Sequence, residues 1–267
     1  MDALDRKITK ALLYAALPNG GSQLMLVEAY FDESEGQVSR PRVITVAGFL
    51  FKSEQSMRFS RDAKKHLDRL GLSHFHQTDC ANGNGEYASL SMAQRIKAQD
   101  LLRANIKRRA LKACAASINL DDYQDIFKDY PRAPSAYSYA LMGCMNIVRH
   151  WIETTGYVGD IAYFFEDGYK HKGDADGFVS ELLSNPAATA DYRYISHAFE
   201  DKRKVKPLQA ADMLAWYTNQ EFTRIMRGEL DRRKDFAALL RLQDTRIDHT
   251  RETLTDFRDV LINAGRI

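Results

Sequence analysis

The stretch Leu24-Met25-Leu26-Val27-Glu28-Ala29-Tyr30-Phe31-Asp32-Glu33-Ser34 is mostly apolar as far as Phe31 and then turns acidic. A short apolar run of this length, bounded by turn residues, reads as a buried strand over 24–31. A polar, glycine-containing turn from Glu33 to Pro41 follows. The β-rich run Val43-Ile44-Thr45-Val46-Ala47-Gly48-Phe49-Leu50-Phe51 comes next and is expected to pair back on the first strand as a hairpin. The chain therefore opens with strands rather than a βαβ unit, and Asp32 closes the first of them.

Working outward, helical periodicity runs from 54 to 70 through Met57, Phe59, Ala63, Leu67 and Leu70 and stops at Gly71. The segment from Leu72 to Glu86 reads as a loop carrying His74-Phe75-His76-Gln77-Thr78-Asp79-Cys80. Ser91 caps a helix over about 91–109, and a strand follows over 111–118. A connector with its own short helix spans 119–134, and 135–155 reads as a packed helix ended by Gly156. Ile161-Ala162-Tyr163-Phe164-Phe165 is a second buried strand, running into Glu166-Asp167-Gly168. A helix near 174–184, a strand over 192–199 and a long helix opened by Pro207 complete the pattern, with Gly228 ending that helix. Two charged, amphipathic helices are expected to finish the chain. Strands at the front, then strands alternating with helices, give an α/β fold: a mixed sheet with helices on both faces.

Residues 2–17 place Leu4, Ile8 and Leu12 on one helical stripe before Pro18-Asn19-Gly20-Gly21-Ser22 breaks it. This divides the chain into an appended N-terminal helix and linker (1–22), one domain (23–228) and a C-terminal helical extension packed on it (229–267). The N-terminal helix either covers an edge of the core or makes a homodimer contact. With 267 residues, 45% of them hydrophobic, the chain can bury a full core. A formal net charge of +2 leaves any nucleic-acid affinity to local patches. Cys80, Cys114 and Cys144 are odd in number and widely spaced, which points to a reducing, cytoplasmic setting. No segment approaches the roughly 20 apolar residues of a membrane span, so no membrane partner is expected.

Three apolar elements end in, or contain, acids: the first strand at Asp32, the 161–165 strand at Glu166, and the late helix at Asp212 within Leu208-Gln209-Ala210-Ala211-Asp212-Met213-Leu214-Ala215-Trp216. Burying a carboxylate costs several kcal/mol unless a cation or donor pairs with it. If these acids meet, they make a divalent-cation site.

Phe31-Asp32-Glu33-Ser34 after the first strand, Phe75-His76 followed by Asp79, an acidic turn after a buried strand, and Leu208-Gln209-x-Ala211-Asp212 with Ala215-Trp216 together resemble the ribonuclease-H-like family catalogued as domain of unknown function 3800. The resemblance covers about residues 25–220. It implies a ribonuclease-H-like sheet whose first three strands are antiparallel, and acids that bind two divalent cations. Asp32, Glu166 and Asp212 are the implied ligands, with Glu33, His76 and Asp79 as further members. Whether Glu166 or Asp167 points inward is left open by the motif.

Oxygen ligands favour Mg²⁺ or Mn²⁺, and two such ions about 4 Å apart suit phosphodiester hydrolysis. Asp32 is the expected bridge, Glu166 and Asp212 hold one ion each, and His76 either moves a proton or merely pairs with Asp79. His74, His76, Asp79 and Cys80 also permit a zinc site, but no second cluster completes it. Lys202, Arg203, Lys204 and Lys206 precede the Asp212 helix and are expected to meet substrate phosphate. The sequence thus predicts a metal-dependent nuclease or phosphodiesterase acting on DNA or RNA. A non-catalytic binding module for nucleic acid or protein, and a small-molecule phosphohydrolase, are the alternatives.

Overall fold

The alternation of β1 (Val27–Glu35) sets the whole arrangement. Val27, Ala29 and Phe31 enter one core, while Tyr30 enters the other, as residues two apart on a strand must share a face. The structure, a computed structural model, describes residues 26–36, 41–167, 172–229, 234–239 and 244–267. The proposed N-terminal helix, and with it the dimer contact, lies outside the described residues.

β1 pairs antiparallel with β2 (Val43–Lys52), and β2 antiparallel with β3 (Ala110–Asn119). On the other side β1 pairs parallel with β4 (Ile161–Glu166), and β4 parallel with β5 (Tyr194–Glu200). A sixth strand, β6 (Asp244–His249), pairs parallel with β3, giving the order β5-β4-β1-β2-β3-β6. The fold is α/β with a mixed sheet, its first three strands antiparallel and its other pairings parallel. The hairpin is close-packed at Gly48, opposite Phe31, where an added Cβ would stand 1.9 Å from the Tyr30 carbonyl oxygen.

Helices cover both faces. On one face α1 (Ser53–Leu70), α2 (Gln77–Asn82), α3 (Met92–Arg109) and α8 (Lys206–Met226) join Tyr30, Phe49 and Phe51 through Phe59, Leu67, Ile106, Leu208 and Tyr217. On the other, α5 (Ala136–Thr155) packs Tyr137, Leu141, Met145 and Val148 on Phe31, Val46 and Phe165. The remaining helices are α4 (Leu120–Phe127), α6 (Lys172–Ser184), α7 (Pro186–Asp191), α9 (Lys234–Leu239) and α10 (Arg251–Asn263). Among the described residues, no helix is long and apolar enough to cross a membrane.

Two sequence expectations need correction. The chain does not finish in two helices alone, because Asp244–His249 forms the edge strand β6 beside β3. Its charged residues find partners there: Arg246 bonds Asp248 at 2.7 Å and lies 3.7 Å from Glu221 of α8, while Ile247 packs on the α5 core. The His74–Cys80 loop also contains a helix, α2, which is too short to leave a periodic signature.

Candidate metal and phosphate site

Parallel register places the first two acids. Phe31 stands beside Phe165, so the next residues, Asp32 within β1 and Glu166 at the end of β4, project from neighbouring strands on the same face. Below them Tyr30 stacks on Phe164 with ring centroids 4.8 Å apart. α8 packs across β1 and β2 and brings in Asp212, buried between Ala211 and Met213. The helix starts at Lys206 with Pro207 in its first turn, where the missing N–H is no loss.

What joins these acids is Lys202, from the turn between β5 and α8. Its ammonium donates to Asp32 Oδ2 at 2.8 Å and to Asp212 Oδ1 at 3.0 Å, so those two oxygens lie no farther apart than the sum of these bonds. Its backbone N–H donates to Glu166 Oε2 at 2.8 Å. The sequence placed Lys202 in a flanking basic strip facing phosphate. The turn redirects it: the Lys204 and Val205 amides bond the Asp201 carbonyl and the Arg203 amide bonds the Asp201 carboxylate, leaving Lys202 pointing into the acids. Lys206 is also engaged within the protein, donating to the carbonyls of Ser73 and Arg203. Arg203 and Lys204 remain exposed on the turn.

Burial drives the electrostatics. The Asp32 carboxyl, 1% exposed, is pushed up by desolvation and drawn down by Lys202, arriving at about 6. Burial, with Asp32 adding to it, lifts Glu166 to about 8. Glu33 is likewise raised well above the ordinary carboxylate range, by burial and then by Asp32. Desolvation alone would weaken the Lys202 ammonium, but Asp212, Asp32 and Glu166 outweigh it and hold the pKa well above its usual value. One cation thus serves several acids.

The remaining predicted residues divide. Glu166 is buried and Asp167 exposed, so the inward acid of that pair is Glu166. Glu33 is half-buried beside the cluster: Asp32, Lys202 and Glu166 all act on its carboxyl, and its Oε2 is buried without a hydrogen-bond partner. His76 stands at the rim: its Nδ1 bonds Asp79 Oδ2 at 2.8 Å, and its Nε2 lies 3.8 Å from Asp212 Oδ1. Asp79 therefore orients the imidazole rather than joining the acids. Cys80 is a core residue, its thiol raised by burial to about 11 and directed at the Arg95 carbonyl at 3.5 Å.

Two further interactions carry no obvious sequence signal. Asp212 Oδ2 accepts the Gln77 backbone N–H at 2.6 Å, linking α8 to the start of α2. Gln209, fully buried, accepts from the Phe75 N–H at 3.1 Å through Oε1 and donates to the Lys202 carbonyl at 2.7 Å through Nε2. It fastens the His76 loop to the Lys202 turn. Only the position of Gln209 within the Leu-Gln-x-Ala-Asp motif hinted at this.

Among the described residues no group of three His, Cys, Asp or Glu side chains forms a ready-made metal shell. The donor chemistry of Asp32, Glu166 and Asp212, all carboxylate oxygen, nonetheless suits a hard cation. The Lys202 ammonium stands where such an ion would compete. No protein-family model matches this chain, and no curated protein matches it significantly.

Proposed function

We propose that this chain is a metal-dependent nuclease or phosphodiesterase of ribonuclease-H-like architecture, hydrolysing nucleic-acid phosphodiester bonds with two Mg²⁺ or Mn²⁺ ions held by Asp32, Glu166 and Asp212. The observation that carries the reading is the meeting of Asp32 and Asp212 on one ammonium with Glu166 on the same turn, three buried acids from elements far apart in sequence. Mutual repulsion disfavours such a cluster unless function requires it. The antiparallel run β1-β2-β3, which the ribonuclease-H-like resemblance implies, supports the reading.

When bound, the cations would supply Lewis-acid activation of water and charge neutralisation at the leaving oxygen. The chain's own groups do the rest. Asp79 holds the His76 Nδ1 proton, which leaves Nε2 to accept or give a proton beside Asp212. Arg203 and Lys204 lie on the turn that carries Lys202 and offer positive charge to a phosphate backbone.

The Lys202 ammonium also favours a second reading, a binding module whose acids are permanently neutralised from within. Incubating purified protein with labelled DNA and RNA, with Mg²⁺, Mn²⁺ or chelator, separates the two. Cleavage that needs the cation and disappears in Asp212→Asn, with the fold retained by circular dichroism, is the expected result. Binding without cleavage under every metal condition leaves the binding module, and an Asp212→Asn protein as active as wild type rejects the assigned site.

A further inference from the structure

Lys202 is pinned by its backbone and free only in its stem. Its N–H is held by Glu166 and its carbonyl by Gln209, so the position of its Cα is fixed from both sides. The side chain, 18% exposed, reaches from this anchor into carboxylates that are themselves 0% and 7% exposed. It has a route to solvent that Asp32 lacks. A four-carbon stem with an ammonium tip rotates at little energetic expense.

An ammonium hydrogen-bonded to Asp32 Oδ2 and Asp212 Oδ1 uses the same oxygens that a cation bound about 2 Å away would need. The two occupants exclude each other by distance and by charge. Without either, Asp32 and Asp212 would repel in a site cut off from water. We infer that Lys202 is an internal counter-cation that holds Asp32 and Asp212 together in the metal-free protein and is expelled from them when a divalent ion binds. The inference rests on the metal reading above and adds the mechanism by which the site is kept assembled and inert. It makes Lys202 a positioning residue when the ion is absent. Once released, the ammonium stays tethered beside Glu166, ready to meet an anion.

The pinned backbone excludes a simpler scheme in which the whole turn moves aside. Gln209 also ties that turn to Phe75, so a moving turn would have to break the Phe75 and Glu166 bonds together. Rotating one side chain breaks only the two ion pairs, and the incoming cation replaces both.

Two measurements test this. In the wild-type protein, Lys202 labelling by an amine-reactive reagent, followed by peptide mass spectrometry, is expected to be slow in chelator and to rise with added Mn²⁺ along the saturation curve. Lys64, exposed and paired with Asp68, is the control whose labelling stays constant. In Lys202→Met, calorimetric titration with Mn²⁺ is expected to show binding roughly 5- to 150-fold tighter than wild type, the usual span of coupling between linked sites. Should the variant misfold, the labelling of wild type decides alone. Mn²⁺ binding to wild type with unchanged Lys202 labelling, or with Lys202→Met binding no tighter, overturns the inference and leaves the metal reading intact. Absence of Mn²⁺ binding in both proteins overturns the metal reading and the inference with it.

Discussion

Replacing Asp32 by Asn is expected to stabilise the metal-free protein while abolishing activity. Asn keeps the volume and removes a buried charge, but its single oxygen can replace only one of the two carboxylate oxygens that accept from the Glu33 N–H and from Lys202, so its NH2 faces the other donor. Burial raises the Asp32 carboxyl from 3.8 to about 6. In the unfolded chain the group ionises first, so as pH rises from about 4 to 6 the folded state loses stability, and above 6 the full penalty is present. A displacement of about two pH units, at about 1.4 kcal/mol each, puts that penalty on the order of 3 kcal/mol at neutral pH. That shift already includes the pull of Lys202; what offsets part of the gain is the lost acceptor at 32, leaving a net gain of about 1–2 kcal/mol, or roughly 2–8 °C in Tm for a domain of this size. Thermal unfolding in chelator at pH 7.5 and pH 5 measures it. Wild type recovers about half of the roughly 3 kcal/mol penalty by pH 5, so the gain should close near that pH and reverse below it. An Asp32→Asn protein less stable than wild type at pH 7.5, or a difference indifferent to pH, would show that Asp32 is an ordinary structural ion-pair partner.

His249 predicts the opposite pH response. Burial lowers its imidazole from 6.5 to about 4, and neither ring nitrogen has a hydrogen-bond partner, so stability is complete above 6.5 and is lost as pH falls toward 4. His249→Phe, packed against Tyr139, should flatten denaturant-measured stability by on the order of 3 kcal/mol over that window, and an unaltered acid limb would count against it. Replacing both Arg203 and Lys204 with Ala should weaken nucleic-acid binding for all sequences alike and reduce its salt slope by roughly 0.7 to 0.9 for each phosphate no longer neutralised. A slope equal to that of wild type would mean that these two side chains do not reach phosphate.

The front of the sheet was legible because continuous apolar runs of strand length leave few choices for 43–51 and 161–165; the first strand, read over 24–31, instead runs on through the acidic residues to Glu35, paired there with β2. The same runs expose Asp32 and Glu166 as acids at their ends, and the apolar surroundings of Asp212 single it out on its helix. β6 escaped because an edge strand needs only Ile247 and His249 on the core, while Arg246 and Asp248 give the segment the look of a charged helix. Such charges on an edge also discourage further strand addition. Lys202 was visible as a cation but not as an inward one. Its direction depends on the Asp201 turn, and neighbouring Lys and Arg residues look alike until the backbone sorts them.

The Gln209 side chain has one end that can only accept and one that can only donate, and both ends are occupied. A carboxylate at 209 would meet the Lys202 carbonyl with a second acceptor, and Asn would fall one carbon short of bridging the gap. The stretch around Phe75 and the stretch around Lys202, far apart along the polymer, are therefore stitched by an amide whose polarity fixes their relative orientation, beside the Lys206 ammonium that joins Ser73 to Arg203. Tension applied to one is delivered to the other, and the imidazole and the ammonium on either side of Asp212 ride on the same stitch.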